Sequence, residues 1–227
     1  MNETGRTPSA GRLTPAYVLG VAIDTQTYRN VLYLLLAFPL GLVYFIALTV
    51  GLALGIGLSV VVVGIPILIA VIVATRPVAA FERLLANRLL AVTISAPTDV
   101  RKTEAPGLWP TLRGYLGAAS TWKGVVFLYL KFWVGVFSFV LVVVGIVVPL
   151  AFLTAPLHYT DPDVMIGVGS WTIDTMPEAI FGMVLGAGLL IFFLHLLNAV
   201  AWLSGLFAQA LLGPGGVLSS TARPTGE

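Results

Sequence analysis

Long stretches of this chain show no alternation of apolar and polar positions. Residues 31–74, 125–156 and 179–212 form three apolar runs, and Lys131 is the one formal charge inside any of them. A membrane-spanning helix needs about 20 apolar residues, so the second and third runs are each long enough to cross a bilayer once and the first twice. A spanning β-barrel would instead alternate in segments of about ten residues. Leu32-Tyr-Leu-Leu-Leu-Ala-Phe38 does not. The pattern predicts an all-α polytopic membrane protein with four transmembrane helices in two hairpin-like halves and amphipathic surface helices between them.

The first run has to break, because one helix over 31–74 would be about 66 Å long, about twice the hydrocarbon thickness. Gly51, Gly55 and Gly57 cluster near its middle. They divide it into helices at about 28–51 and 57–75, with Asp24-Thr25-Gln26-Thr27 as the entry cap. The third helix covers about 125–155, bent near Pro149. The fourth covers about 179–212 and stops at Gly213-Pro-Gly-Gly. The domain so defined is 24–213. Residues 1–23 read as a disordered or peripheral tail and 214–227 as a short disordered one.

The connection 76–123 is polar. Phe81, Leu84, Leu85, Leu89 and Val92 share one helical face there, which predicts an amphipathic helix over 78–94 lying on the membrane surface. Leu108 to Leu116 predicts a second short surface helix, anchored by Trp109 and Tyr115. This connection is rich in Lys and Arg, whereas 157–177 holds Asp161, Asp163 and Asp174 and neither Lys nor Arg. The positive-inside rule therefore puts both termini and 76–123 in the cytoplasm and 157–177 outside the cell membrane.

Composition agrees. Of 227 residues, 58% are hydrophobic and 10% charged, against roughly a quarter charged in globular proteins. Cysteine is absent, which excludes disulfides, thiolate metal sites and a cysteine nucleophile. There is no phosphate loop, dinucleotide fingerprint or basic nucleic-acid patch. The expectation is no cofactor, no nucleic acid and no catalytic residue. A Ser204–His195 pair is ruled out because nine residues place the two on opposite sides of one helix.

Shifting the chain by 94 residues lays Thr27-Tyr-Arg-Asn-Val31 on Thr121-Trp-Lys-Gly-Val125, and Phe38, Gly41, Phe45 and Gly51 on Phe132, Gly135, Phe139 and Gly145. This register predicts a duplicated helix-hairpin unit.

Three groups of residues are candidates for function. His195, Asn198, Trp202 and Gln209 fall within about 60° of one another at 100° per residue, a polar stripe expected to face the bundle interior. That stripe is either a proton or ligand site or a set of hydrogen bonds packing helices together. Lys131 either pairs inside the membrane or, more cheaply, snorkels to the inner headgroups. Outside, His158, Tyr159, Asp161, Asp163, Trp171 and Asp174 are a cluster able to bind a cation or small ligand, or simply a solvated loop. Inside, Glu82 and Arg83, expected as a surface ion pair or headgroup contact, form a relay surface with Arg88, Trp109 and Arg113. Gly182-x-x-x-Gly186 and Ala201-x-x-x-Gly205 permit close helix contact, within the chain or with a second copy in a homodimer.

Thr27-Tyr-Arg-Asn, Tyr33-Leu-Leu-Leu-Ala-Phe-Pro39-Leu-Gly41, the Gly51–Gly57 cluster, Gly64-Ile-Pro66, Phe81-Glu82-Arg83, Thr121-Trp-Lys123 and Leu211-Leu-Gly213 together resemble the "putative sensor" membrane domain. The resemblance covers about residues 24 to 213. That domain stands at the N-terminus of some actinobacterial histidine kinases and alone in haloarchaeal membrane proteins. It implies a four-helix sensory module. Because no phosphoacceptor helix or ATP-binding domain follows Gly213, it also implies output through a partner such as a histidine kinase. The rival expectation is a small transporter or channel using the polar stripe of the last helix.

Overall fold

The computed structural model describes residues 20–99, 108–161, 163–169 and 171–214. The tails expected at 1–23 and 214–227 lie outside them except for residues 20–23 and 214. Four helices are long and apolar enough to cross a membrane. They are α1 (Thr25–Gly57), α2 (Gly64–Leu89), α4 (Ala119–Leu153) and α6 (Met176–Leu212), joined by the short helices α3 (Leu108–Gly117) and α5 (Ala155–His158). The strands among the described residues are β1 (Gly167–Val168) and β2 (Trp171–Thr172), paired antiparallel with Val168 opposite Trp171.

Helix entry follows local chemistry. Asp24 caps α1, its carboxylate accepting the Gln26 N–H at 3.0 Å. At the start of α6, Glu178 Oε2 accepts from the Thr175 N–H at 3.0 Å and the Thr175 hydroxyl at 2.8 Å. Thr175 and Glu178 have the Thr-x-x-Glu spacing of a capping box.

Two boundaries differ from expectation. The glycine cluster 51–57 does not break α1, which runs through it to Gly57 and on into a 3-10 turn at Leu58–Val61. The reversal comes at Val62, whose φ is 69°, and Gly64 permits it: a Cβ there would lie 2.0 Å from the Gly55 carbonyl. The expected surface helix over 78–94 is instead the continuation of α2 through Pro77. It ends where Ala91 turns to a φ of 52° and the Asn87 side chain clamps Ile94 by both its N–H and its carbonyl. Its expected apolar face is split: Leu85, Leu89 and Val92 pack against the core, but the first part of the face turns outward. Phe81 and Leu84 are exposed while Ala79, Glu82 and Ala86 are buried, since a lipid-embedded helix turns large apolar groups outward and small or polar ones to its neighbours.

Two compact units emerge. One comprises Met1–Thr27 and Gly145–Leu196, the other Tyr28–Val144 and Leu197–Glu227. In the first, Phe152, Ala155, Ile173 and Ala179 form the core, with Trp171 packed against it. A Cβ at Gly186 would lie 2.8 Å from the Pro149 carbonyl, so this half of the small-residue pair brings α6 against α4 within the chain.

In the second unit the core joins Tyr33, Leu34, Ala79, Ala86, Phe127, Leu128, Leu197 and Ala201. Here the 94-residue repeat acquires a structural counterpart. A Cβ on Gly41 would lie 2.8 Å from Phe132 Cα, and one on Gly135 would lie 2.8 Å from Phe38 Cα. Phe38 stacks near Phe139 at 4.9 Å and Phe45 near Phe132 at 4.7 Å. Each contact is the image of the other under the shift, so α1 and α4 cross as a self-complementary pair, the intrachain equivalent of an isologous interface.

Candidate functional site

The second unit buries one ion pair. Lys131 on α4 donates from Nζ to Glu82 Oε2 on α2 at 2.8 Å and to the Tyr33 hydroxyl on α1 at 2.8 Å. The side chains of Lys131 and Glu82 are 3% and 0% exposed. Nζ also lies 4.2 Å from the centroid of the Tyr33 ring, a geometry in which the ring face attracts the cation. A lone ammonium or carboxylate in so apolar a place would cost several kcal/mol or more. Each offsets the other only because the geometry is close and Tyr33 supplies a further acceptor.

The surroundings explain how Glu82 reaches that depth. Ala79 and Ala86, three residues before it and four after, are both buried and small, so α2 approaches α4 closely along one stripe. Glu82 Oε1 and the Tyr44 hydroxyl are buried with no close hydrogen-bond partner among the described residues. Tyr44 is still near enough to Glu82 to feel its charge. Glu82 is therefore fully bonded to Lys131 through one carboxylate oxygen, with Tyr44 a further, weaker hydrogen-bonding neighbour.

This placement corrects two expectations. Lys131 does not snorkel, and Glu82 belongs neither to a surface pair with Arg83 nor to the relay surface. The cause is tertiary: a partner 49 residues away in sequence makes the interior cheaper than the stretched route to the headgroups. Lys131 stood out in the sequence as a lone charge, but its partner did not. A signal able to find Glu82 is its spacing from Ala79 and Ala86, two small residues on the same helical face.

The polar stripe on α6 does not form an interior line. Between Leu194 and Gln209 the buried positions on that helix are Leu194, Leu197, Ala201, Ser204, Gly205 and Ala208. Trp202 is 64% exposed and Gln209 is exposed. Asn198 is half-buried and accepts from the Asn30 side chain at 2.9 Å, a cross-helix bond to α1. His195 is half-buried. Ser204 donates back to the Val200 carbonyl at 2.8 Å. The helical wheel erred by some 80–100° because which face is inward depends on what the helix packs against.

Of the cytoplasmic candidates, Arg83 is half-buried, Arg88 and Arg113 are exposed, and Trp109 lies outside the described side chains. Arg76, not singled out earlier, organises this region. It donates from Nε to Thr121 Oγ1 at 3.0 Å and from Nη2 to Ser120 Oγ, and its guanidinium sits 4.8 Å from the Tyr115 ring centroid. Asp99 Oδ2 accepts the Ser120 N–H at 2.8 Å in the first turn of α4. Partial burial pushes the Asp99 carboxyl up, but the Ser120 hydrogen bonds and the Arg76 charge outweigh it and hold the group below the usual carboxylate range.

In the first unit, Tyr159, Asp161 and Asp174 line one cavity of about 160 Å³. Asp161 Oδ1 accepts the Asp163 N–H, and Asp174 Oδ2 accepts the Thr172 hydroxyl. Trp171 stacks on Phe152 at 6.3 Å, and His158 is exposed. Among the described residues, no three histidine or acidic side chains come together as a metal site. The six candidates are therefore divided, three around the cavity and three away from it.

The Putative sensor family profile matches residues 33–212, which include every member of the buried cluster. The chain belongs to the Putative sensor family. No curated protein and no solved structure matches it. As a Putative sensor domain it is a multi-pass membrane protein, and the family's span takes in α2, α4 and α6 whole, along with α1 from Tyr33 onward.

Proposed function

We propose that this sensor domain is a non-catalytic signal-relay module of the cell membrane that acts through a partner protein such as a histidine kinase. The distribution of Lys and Arg suggests a cytoplasmic 76–123; α2 and α4 run parallel, Arg76 meeting Thr121 and Glu82 meeting Lys131, so the expected arrangement of both termini inside with 157–177 outside does not carry over. The observation that carries the reading is the Lys131–Glu82–Tyr33 cluster, which fastens α1, α2 and α4 at one buried point. Sliding α4 against α2 has to break a charge-assisted bond in a low dielectric, so the helices move between discrete pairings rather than drifting. Arg88 and Arg113, both exposed, are available to a partner. A stimulus that shifts the helices would thus change the face that the partner reads.

The test is mild crosslinking in native membranes followed by purification on a C-terminal tag. A stoichiometric signalling protein, lost on Arg88→Glu with Arg113→Glu, is the expected result. Recovery of the chain alone, or only with further copies of itself, would overturn the relay.

A further inference from the structure

A second polar feature lies apart from the buried ion pair. Arg76 and Arg83 are seven residues apart on α2, hence on one face, about 10 Å from each other along the axis. Both line a cavity of about 110 Å³ with Pro97, Ser120 and Thr121. A single water needs about 10–15 Å³ of such space, so the cavity has room for a polyatomic ion. Among the described residues no carboxylate pairs with either guanidinium, the one ion pair being Lys131–Glu82. Asp99, the nearest acid, is committed to the Ser120 N–H.

Arg76 spends Nε and Nη2 on Thr121 and Ser120, leaving Nη1. Arg83 has five N–H donors to offer. The Ser120 hydroxyl, which accepts from Arg76, keeps its own proton. Two guanidinium groups on one half-buried cavity, with Asp99 the one carboxylate beside them among the described residues, leave a net positive charge that suits an anion. Two planar forks call for one with several oxygens in different directions, which is the geometry of phosphate rather than of chloride or a single carboxylate.

We propose that the Arg76–Arg83 cavity binds a phosphate group. Arg76 lies two residues beyond the uncharged run 31–74, so a phospholipid headgroup is one source of such a phosphate. A soluble phosphate offers the same chemistry.

The experiment uses the purified full-length chain in two arms. In one, native mass spectrometry compares retention of phosphatidylglycerol with that of phosphatidylcholine. In the other, the chain in phosphatidylcholine nanodiscs is titrated with inorganic phosphate, reading tryptophan fluorescence. Arg83→Gln should weaken binding about tenfold or more, as expected for a lost charged hydrogen-bond donor. Arg88→Gln, which removes the same charge from an exposed position on the same helix, should change it less than about twofold. Loss in the first arm alone identifies the lipid, and loss in the second alone the free anion. Equal effects of the two variants, or a wild-type chain with no preference for either phosphate source, would overturn the proposal. Arg83 rather than Arg76 carries the test because Arg76→Gln also removes bonds that hold the start of α4.

Discussion

The buried pair makes a quantitative prediction. Replacing Glu82 by Met leaves Lys131 with the Tyr33 hydroxyl at 2.8 Å as its remaining partner. Breaking a buried pair by deleting one member costs about 3–5 kcal/mol, and the surviving bond puts Glu82→Met near the lower end. Lys131→Met should cost more, near the upper end, because Glu82 Oε1 already has no close partner and Oε2 would lose its only ion pair. The double replacement fills the same space with apolar atoms and leaves no orphan charge, so it should lie within about 1 kcal/mol of the parent or exceed it. The assay is reversible unfolding in mixed micelles with a denaturing detergent, followed by tryptophan fluorescence, for all four members of the cycle. The double variant should be more stable than the sum of the singles by at least about 3 kcal/mol. If the two changes add to within about 0.5 kcal/mol, the cluster is not coupled, and its use as the fastening point of the relay fails with it.

Further predictions concern backbone, charge and topology. Gly135→Ala places a Cβ 2.5 Å from the Ala37 carbonyl and should cost about 1–3 kcal/mol by forcing α1 from α4. Gly188→Ala, with nothing within 4 Å, should be neutral or stabilise by up to about 1 kcal/mol in the same unfolding assay. Val62→Gly should stabilise by about 1 kcal/mol, since it relieves a β-branched residue at φ 69° that is 68% exposed and loses little packing. The Asp99 carboxyl is held low in the folded state, so its contribution is complete above the usual carboxylate range and is lost as the pH falls through the folded value. Asp99→Ala should remove that acid-side loss and cost about 0.3–1 kcal/mol at neutral pH. Because the chain has no cysteine, single cysteines at Arg113 and Asp163 can be labelled with an impermeant maleimide in intact cells. Protection of residue 113 is the outcome expected from the distribution of Lys and Arg, and its labelling would overturn a cytoplasmic 76–123 connection.

The number and class of the helices were legible in the sequence because they follow from one-dimensional quantities. The near absence of charge across 31–74, 125–156 and 179–212, where Lys131 is the one exception, requires spanning helices, since an unpaired backbone has no place in hydrocarbon. The Asp24 cap and the 94-residue register could also be read directly. Facing could not be. In a soluble helix the apolar stripe marks the inside, but in lipid both sides of a helix are apolar. Trp202 and Gln209 therefore turned outward, Phe81 and Leu84 with them, and small residues such as Ala79, Ala86, Ala201 and Ala208 marked the packed face. Helix ends were likewise tertiary. The glycines at 51–57 let α1 pass close to α2 instead of breaking it, and Asn87 reaching Ile94 ended α2 where periodicity would have carried it on. Above all, the sequence by itself determined that Lys131 was an isolated charge in an apolar run. Only the fold brought Glu82 and Tyr33 to it, because a buried charge is stabilised by whatever lies within about 3 Å in space, however far away that is along the chain.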